Sequence, residues 1–392
     1  MRTFKYILPI GLILLFVSLA CQALQPVPPT VTAAPPPTPT SPPIPAAPAP
    51  APSPTEEILD QPSFPSLIAY SLFAEDEGVY IHTVDADGKN DIRLTERGCV
   101  GALPTWSTDG SLLAYYCYDA ERENSDLWVM NPDGSEKKYV AVLPGLPRLN
   151  WSPDNRYVVY FAPQPDGKEN DIYVLELASG ESEDITRDSR VWDAYPDWSP
   201  DGDLIAFASD RAPGGKALDD IWVMKPDGSD PVNLTNNGEN WEDYHPAWSP
   251  DGEAIAFYRG GSLFGEDPEG GPAGLWIMDA DGGNQRLVTA FEPFGVFDAP
   301  AWSPNGRYLA YVTGIEEEQD VWVVPVGGGE PVNVSNLPGE KRAISWSPDS
   351  QALVFTNDDE QDELSVYIAL PDGSDTHPLL PEGRYGYGDW SP

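Results

Sequence analysis

The unit Trp-Ser-Pro-Asp-Gly, or a close variant, begins at Trp106, Trp151, Trp198, Trp248, Trp302 and Trp346, and its first three residues recur at Trp390, Ser391 and Pro392. The spacings are 45, 47, 50, 54, 44 and 44 residues. A fixed period of this size means that one supersecondary unit is copied, and that neighbouring copies bury each other's apolar faces. After each motif comes an apolar run such as 204–207, then a second such as 220–224, then a short third such as 232–235. With the strand that carries the motif Trp, that makes four strands per unit.

Turn chemistry explains why the motif recurs. Pro presets φ for the first central position, Asp bonds its own backbone, and Gly accepts the left-handed conformation that closes a bulged hairpin. Asn155 and Ser350 stand in the Gly place, and Asn enters the left-handed region more readily than Ser. A second turn type, Asn131-Pro132-Asp133-Gly134 and Lys225-Pro226-Asp227-Gly228, follows the next strand but one. The fold class expected is all-β: a seven-bladed β-propeller of four-stranded antiparallel blades. The run 67–70 is the strand that normally follows a Trp-Ser-Pro turn, and the sequence stops just after such a turn. The C-terminal strand is therefore expected to complete the first blade and remove an open sheet edge. Seven of the thirteen Trp sit in motifs, and Trp128, Trp222, Trp276 and Trp322 sit on third strands, all expected to pack between blades.

Ahead of the repeats, Arg2 and Lys5 precede an apolar run from Tyr6 to Ala20. It is shorter than the roughly 20 residues of a membrane span and reads as an export signal. It resembles a bacterial lipoprotein signal, which makes Cys21 the expected site of lipidation. From Gln25 to Thr55 there are 14 Pro in 31 residues and no charge, a tract that favours extended polyproline II over any core. The organisation expected is a signal at 1–20, a lipidated Cys and Pro/Thr/Ala-rich linker at 21–65, and the propeller at 66–392. This places the protein outside the cytoplasm, at the cell envelope or surface, touching the membrane only through its lipid anchor.

Charge then narrows the partners. There are 63 acidic against 22 basic side chains, a net charge of −41. A chain this acidic does not neutralise phosphates, so nucleic acid is excluded, and an anionic membrane surface repels the folded part. Three His and three Cys leave little for metal or acid–base chemistry.

The repeats resemble the TolB-like propellers built from W-S-P-D-G units, also seen in prolyl-oligopeptidase-type peptidases and oligogalacturonate lyases. The resemblance covers residues 66–392, and it implies fold strongly and function weakly. TolB itself places an α/β domain ahead of a six-bladed propeller, whereas here a proline-rich linker leads into seven blades. A peptidase of this kind carries a G-x-S-x-G hydrolase domain, which this sequence lacks. The lyases use a His-rich metal site. Here His82 is expected on a strand, His377 precedes Pro378, and His245 is expected in a loop near the channel. The reading is a non-catalytic recognition or scaffolding module for an envelope or extracellular protein or glycan, acting as a monomer. The alternative is an enzyme, lyase or hydrolase, acting on extracellular polysaccharide at the same mouth.

Antiparallel blades put second-to-third-strand loops and blade-to-blade loops on one face and both hairpin turns on the other. The first set is acidic, with 75–77, 316–318 and 358–360 as examples. The second brings aromatics and charges to the channel mouth. The ligand-binding candidates are Arg148, Trp192, Asp193, Tyr195, Trp241, Asp243, Tyr244, His245, Phe297, Asp298, Arg342, Tyr385 and Tyr387, with Lys341 adding positive charge nearby. Aromatics flanked by carboxylates suit a sugar, a peptide or a cation. Asp193, Asp243 and Asp298 equally suit a structural role, satisfying loop backbone. Asp85-Ala86-Asp87-Gly88 and Asp279-Ala280-Asp281-Gly282 lack the later bidentate Glu of a calcium loop and read as hairpin turns. No cofactor is expected, and at most weak Ca²⁺ binding. Pairing Trp106 with Leu112 across their turn leaves Cys99 and Cys117 nearly opposite each other, which makes them the expected disulfide.

Overall fold

The computed structural model describes residues 66–392 except 75–77, 97–100, 120–123, 165–166, 168, 188–190, 212–217, 237–240, 262–272, 292–297, 316–317, 360–363 and 381–384. Seven four-stranded antiparallel sheets make seven blades, with no helix among the described residues. Blade 1 joins Tyr385–Trp390 from the C-terminal end to Leu67–Ala74, Gly78–Asp85 and Ile92–Arg93. Ile68 pairs with Trp390, and Ser391 N donates to Leu67 O at 2.8 Å, so the ring closes inside one blade as the repeats imply. The other six blades follow in chain order, each running from its motif strand outward. Motif strands of neighbouring blades meet one another, which sets them round the central axis.

Both faces of a blade meet a neighbour, so the second strands are apolar without alternation. Ile205, Ala206, Phe207 and Ala208 are all fully buried. Motif Trp side chains pack on the preceding blade: Trp248 lies with Ala206, Ala208, Ile221 and Val223. Trp128, Trp222, Trp276 and Trp322 are only partly buried at the blade interfaces.

The motif Ser is as structural as the Pro and Gly. In blade 4, Leu204 N donates to Ser199 Oγ at 2.9 Å, Ser199 Oγ donates to Asp201 Oδ1 at 2.6 Å, and Gly202 takes φ 78°. Some turns also touch the next. Pro153 rests on Gly202 and Pro200 on Gly252, each within van der Waals reach of where a Cβ would lie. Where the Gly is replaced, the new side chain makes a bond to the preceding turn. Asn155 (φ 56°) accepts from Thr108 N at 3.0 Å, and Ser350 (φ 60°) accepts from Asn305 N at 3.1 Å.

One expected register is corrected. Trp106 pairs with Leu113 rather than Leu112, and a bulge between Ala102 and Thr105 then sets Gly101, not Cys99, opposite Cys117. The turn closes through Ser107 N and Leu112 O, so Leu112 ends the turn and pairing begins one residue later. Cys117 is disulfide-bonded. Cys99 and Cys21 lie outside the described residues.

Candidate functional site

Five of the seven inner strands carry a non-glycine residue in the left-handed region three positions before the motif Trp. These are Leu103, Tyr195, His245, Ala343 and Tyr387, with φ between 52° and 58°. The register shifts of four of these strands span those positions: 102/105, 194/197, 244/247 and 342/345. An L-residue there costs roughly 1–2 kcal/mol, more readily accepted by Asn or Gly than by Tyr or His. The bulge has a consequence for the expected site. His245 is not in a loop but inside the strand Trp241–Trp248, as Asp193 and Tyr195 are inside Asp193–Trp198. The bulge absorbs the extra residue, so pairing continues towards the loop face.

At blades 4 and 5 two of these strained residues meet. Tyr195 and His245 stack with ring centroids 3.7 Å apart and planes 26° from parallel. Trp192 meets Tyr195 edge-on at 5.7 Å and Tyr244 meets His245 at 5.6 Å. Tyr195 remains half-buried while His245 is 3% exposed, so the tyrosine presents the stack and the histidine backs it. Tyr385 and Tyr387 stand in blade 1. Tyr385 packs edge-on against Tyr70 at 5.5 Å, and Tyr387 N donates to Thr356 Oγ1 at 2.8 Å.

Asp193 and Asp243 on inner strands, and Asp298 just ahead of one, have structural partners. Asp193 accepts from Arg211 Nη2 at 2.6 Å. Asp243 takes a two-pronged contact from Arg259 Nε and Nη2, both at 2.7 Å, with both residues buried. Asp298 pairs with Arg148 and also accepts from Ala343 N. Lys341 is buried, donates to the carbonyls of Leu337 and Gly339 at 2.8 and 2.7 Å, and burial pulls its amine down to about 8. It caps a loop rather than offering charge to a ligand. Arg342 pairs with Glu340.

Of the candidates, Trp241, Asp193, Asp243, His245 and Asp298 are buried, so they shape the mouth from behind. Arg148 is exposed, and Trp192, Tyr195, Tyr244, Arg342, Tyr385 and Tyr387 are partly so. Phe297 lies outside the described residues, as do 75–77 and most of the other acidic loop segments. The two Asp-Ala-Asp-Gly segments are turns: Gly88 N donates to Asp85 O and Gly282 N to Asp279 O, both at 2.9 Å.

Sequence reading missed Asp210, Asp219 and Glu242, which gather near Asp193. Burial, then the charges of Glu242, Asp210 and Asp193, pushes Asp219 up to about 8. Burial likewise raises Asp210 and Glu242. Arg211, just after the second strand of blade 4, and Arg259, within that of blade 5, mark the buried Asp193 and Asp243, whereas the pattern around Asp210, Asp219 and Glu242 carried no comparable signal. No group of three or more His, Cys, Asp or Glu among the described residues converges as a metal site does.

A family model described as the TolB beta propeller domain matches residues 60–264 and 268–382. An uncharacterised protein of Agrobacterium fabrum is 32% identical over 190 residues, 45% of this chain and 62% of that protein. The Tol-Pal system protein TolB of Alcanivorax borkumensis is 34% identical over 86 residues, 22% of this chain and 19% of that protein. The chain thus spans less than two thirds of either relative. An oligogalacturonate lyase structure from Vibrio parahaemolyticus superposes with a TM-score of 0.58 at 14% identity, covering 78% of this chain and 91% of the lyase. That likeness is one of fold.

Proposed function

Since the chain belongs to the TolB β-propeller family, we propose that it is a non-catalytic recognition or scaffolding module, exported and held at the cell envelope by a lipid on Cys21, that takes a protein or glycan partner at the channel mouth. The observation that carries this reading is the Tyr195–His245 stack, held on left-handed backbone with Trp192 at its edge. The same left-handed bulge recurs at Leu103 and Ala343 and so belongs to the repeat; what is particular to blades 4 and 5 is that it brings two aromatic rings together. A rigid aromatic face with half-exposed tyrosines offers contact area at low entropic cost to a sugar ring or a peptide side chain. The carboxylates beside it are occupied by Arg148, Arg211 and Arg259, which suits positioning better than proton transfer.

The second reading, an enzyme acting on extracellular polysaccharide, draws on Asp219, whose raised carboxyl near other acids is the kind of group that serves as a general acid. The test uses the full chain in detergent against an array of envelope glycans and in pull-downs from an envelope fraction, beside a variant with Trp192→Ala, Tyr195→Ala and Tyr387→Ala. The wild type should retain a partner that the variant loses, with no shortening of any polysaccharide. Equal retention by both would remove the mouth from recognition. Chain shortening abolished by Asp219→Asn would replace the module reading with the enzymatic one.

A further inference from the structure

Blades 3, 4 and 6 join their short outermost strand to the third strand through one pair of polar side chains, and blade 3 changes a partner. In blade 4, Asn233 of the outermost strand donates its side-chain amide to Asp220 Oδ2 at 2.8 Å. Its own Oδ1 accepts from Thr235 N at 3.0 Å and Asn236 N at 2.8 Å. Blade 6 repeats the arrangement. Asn333 donates to Asp320 Oδ2 at 2.8 Å, and its Oδ1 accepts from Ser335 N at 3.1 Å and Asn336 N at 2.9 Å. The NH₂ of the Asn thus fastens the outermost strand to the third, and its oxygen closes the following turn.

Asp184 holds that place in blade 3. It pairs with Tyr173 as Asn233 pairs with Trp222 and Asn333 with Trp322. Its Oδ1 still closes the turn, accepting from Thr186 N at 3.2 Å and Arg187 N at 2.9 Å. What the change removes is the NH₂. Where blades 4 and 6 set an amide donor against a carboxylate, blade 3 sets the Asp184 carboxyl in hydrogen-bond contact with Asp171. Asp171 is 3% exposed and accepts from Gln164 Nε2 at 2.9 Å. Two carboxylates offer each other only acceptors, whereas a single proton held between them restores the missing donor.

We infer that Asp171 and Asp184 form a proton-operated latch on the outermost strand of blade 3, closed while one proton bridges the two carboxyls and loosened when that proton passes to water. The groups round the pair fix the direction of its response. Blade 3 supplies Glu183 and Arg187, which pair with each other, and the hydroxyls of Tyr160 and Tyr173. Blade 4 supplies Asp193, whose cation is Arg211, with Asp210 and Asp219 beyond it. Burial, with the charge and contact of Asp184 and the charge of Asp193 behind it, outweighs the Gln164 bond and pushes Asp171 up to about 6. An acid raised in the folded chain stabilises it when protonated, so the contribution is complete below about 4 and is lost as pH rises through about 6. Loss of the proton also adds negative charge beside Asp193, the residue after Trp192 at the mouth. The latch belongs to the fold and does not depend on what the mouth binds.

The test is hydrogen–deuterium exchange of the full chain in detergent and EDTA at pH 5 and pH 7.5, with each rate corrected for the intrinsic exchange rate at that pH. In the wild type, peptides covering 171–174 and 182–187 should be roughly tenfold better protected at pH 5, the ratio that a shift from about 4 to about 6 allows. The matching peptides of blade 6, covering 320–323 and 332–336, report any change common to the whole propeller and should show no such ratio. Asp184→Asn, which installs the pair of blades 4 and 6, should keep the blade 3 peptides protected at both pH values. Asp171→Asn puts the amide on the other side of the pair and should do the same. Blade 3 peptides that follow those of blade 6 at both pH values in the wild type would overturn the latch. So would a pH dependence that survives in both variants, since it would belong to another group.

Discussion

Thr108 donates its backbone N–H to Asn155 Oδ1 at 3.0 Å and its hydroxyl to the same atom at 2.6 Å. Thr108 stands where other motif turns have Pro, which has no N–H, and Asn155 stands where the next blade's turn has Gly. At other turns the Pro of one rests on the Gly of the next, as Pro153 does on Gly202 and Pro200 on Gly252. The two departures from the repeat therefore form one matched contact. Thr108→Pro should remove the donor and Asn155→Gly the acceptor, each costing about 1 kcal/mol. Asn155→Gly also relieves left-handed strain, so the double variant, which restores the Pro-on-Gly contact, should cost less than the two singles together. Urea unfolding of the four proteins measures this, and strictly additive changes would mean the two positions are independent.

That pair shows what was legible and what was not. The turn chemistry of Trp-Ser-Pro-Asp-Gly is local, so its period alone discloses blade number, strand order and closure. The reason for Asn155 is a contact 47 residues away, and no local rule carries it. The same holds at the mouth. Tyr195 and His245 could be placed near the channel from their offset before the motif Trp, but their stacking depends on bulges that shift register by a residue. Asp193 and Asp243 looked available because Arg211 and Arg259 lie 18 and 16 residues on.

Asp197 makes stability depend on pH. Its carboxylate accepts from Trp248 N at 2.7 Å, yet burial outweighs that bond and pushes it up to about 7. Burial also raises Asp389, which accepts from Trp106 N at 2.9 Å. An acid whose folded-state value lies above its unfolded one favours folding when protonated, so this contribution is complete below about 4 and is lost as pH rises through about 7. Stability should therefore fall as pH rises from about 5 to about 7.5. Asp197→Asn keeps an oxygen for the Trp248 N–H at every pH. It should melt higher than wild type at alkaline pH and converge with it in acid. Thermal melts across that range decide the matter, and a wild type that gains stability with rising pH would contradict it.

Cys117 is disulfide-bonded, and Cys99 is the partner we expect, because Cys21 is assigned to the lipid. The bond would close a loop of 19 residues, worth about 3 kcal/mol on the chain-entropy estimate. Denatured, non-reduced protein with Cys21 replaced by Ser should therefore contain no reactive thiol. Peptide mapping should recover residues 99 and 117 in one cross-linked fragment. One free thiol per chain would mean that Cys117 pairs between molecules.

Arg148 and Asp298 are joined across the ring. Arg148 precedes the inner strand of blade 3 and Asp298 that of blade 6, and Asp298 also accepts from Ala343 N of blade 7. The pair thus ties three blades at the mouth. Asp298 is 5% exposed, so Arg148→Ala leaves a buried carboxylate without its cation and should cost about 1–3 kcal/mol. Asp298→Asn keeps an acceptor for Ala343 N while removing the charge, and in that background Arg148→Ala should cost little. The coupling should shrink in high salt, because Arg148 is about half exposed and its side of the pair is screened. Denaturant unfolding of the double-mutant cycle at two ionic strengths measures both effects. If Arg148→Ala costs as much in the Asp298→Asn background as in the wild type, the ion pair contributes nothing and the arginine acts through its contacts alone.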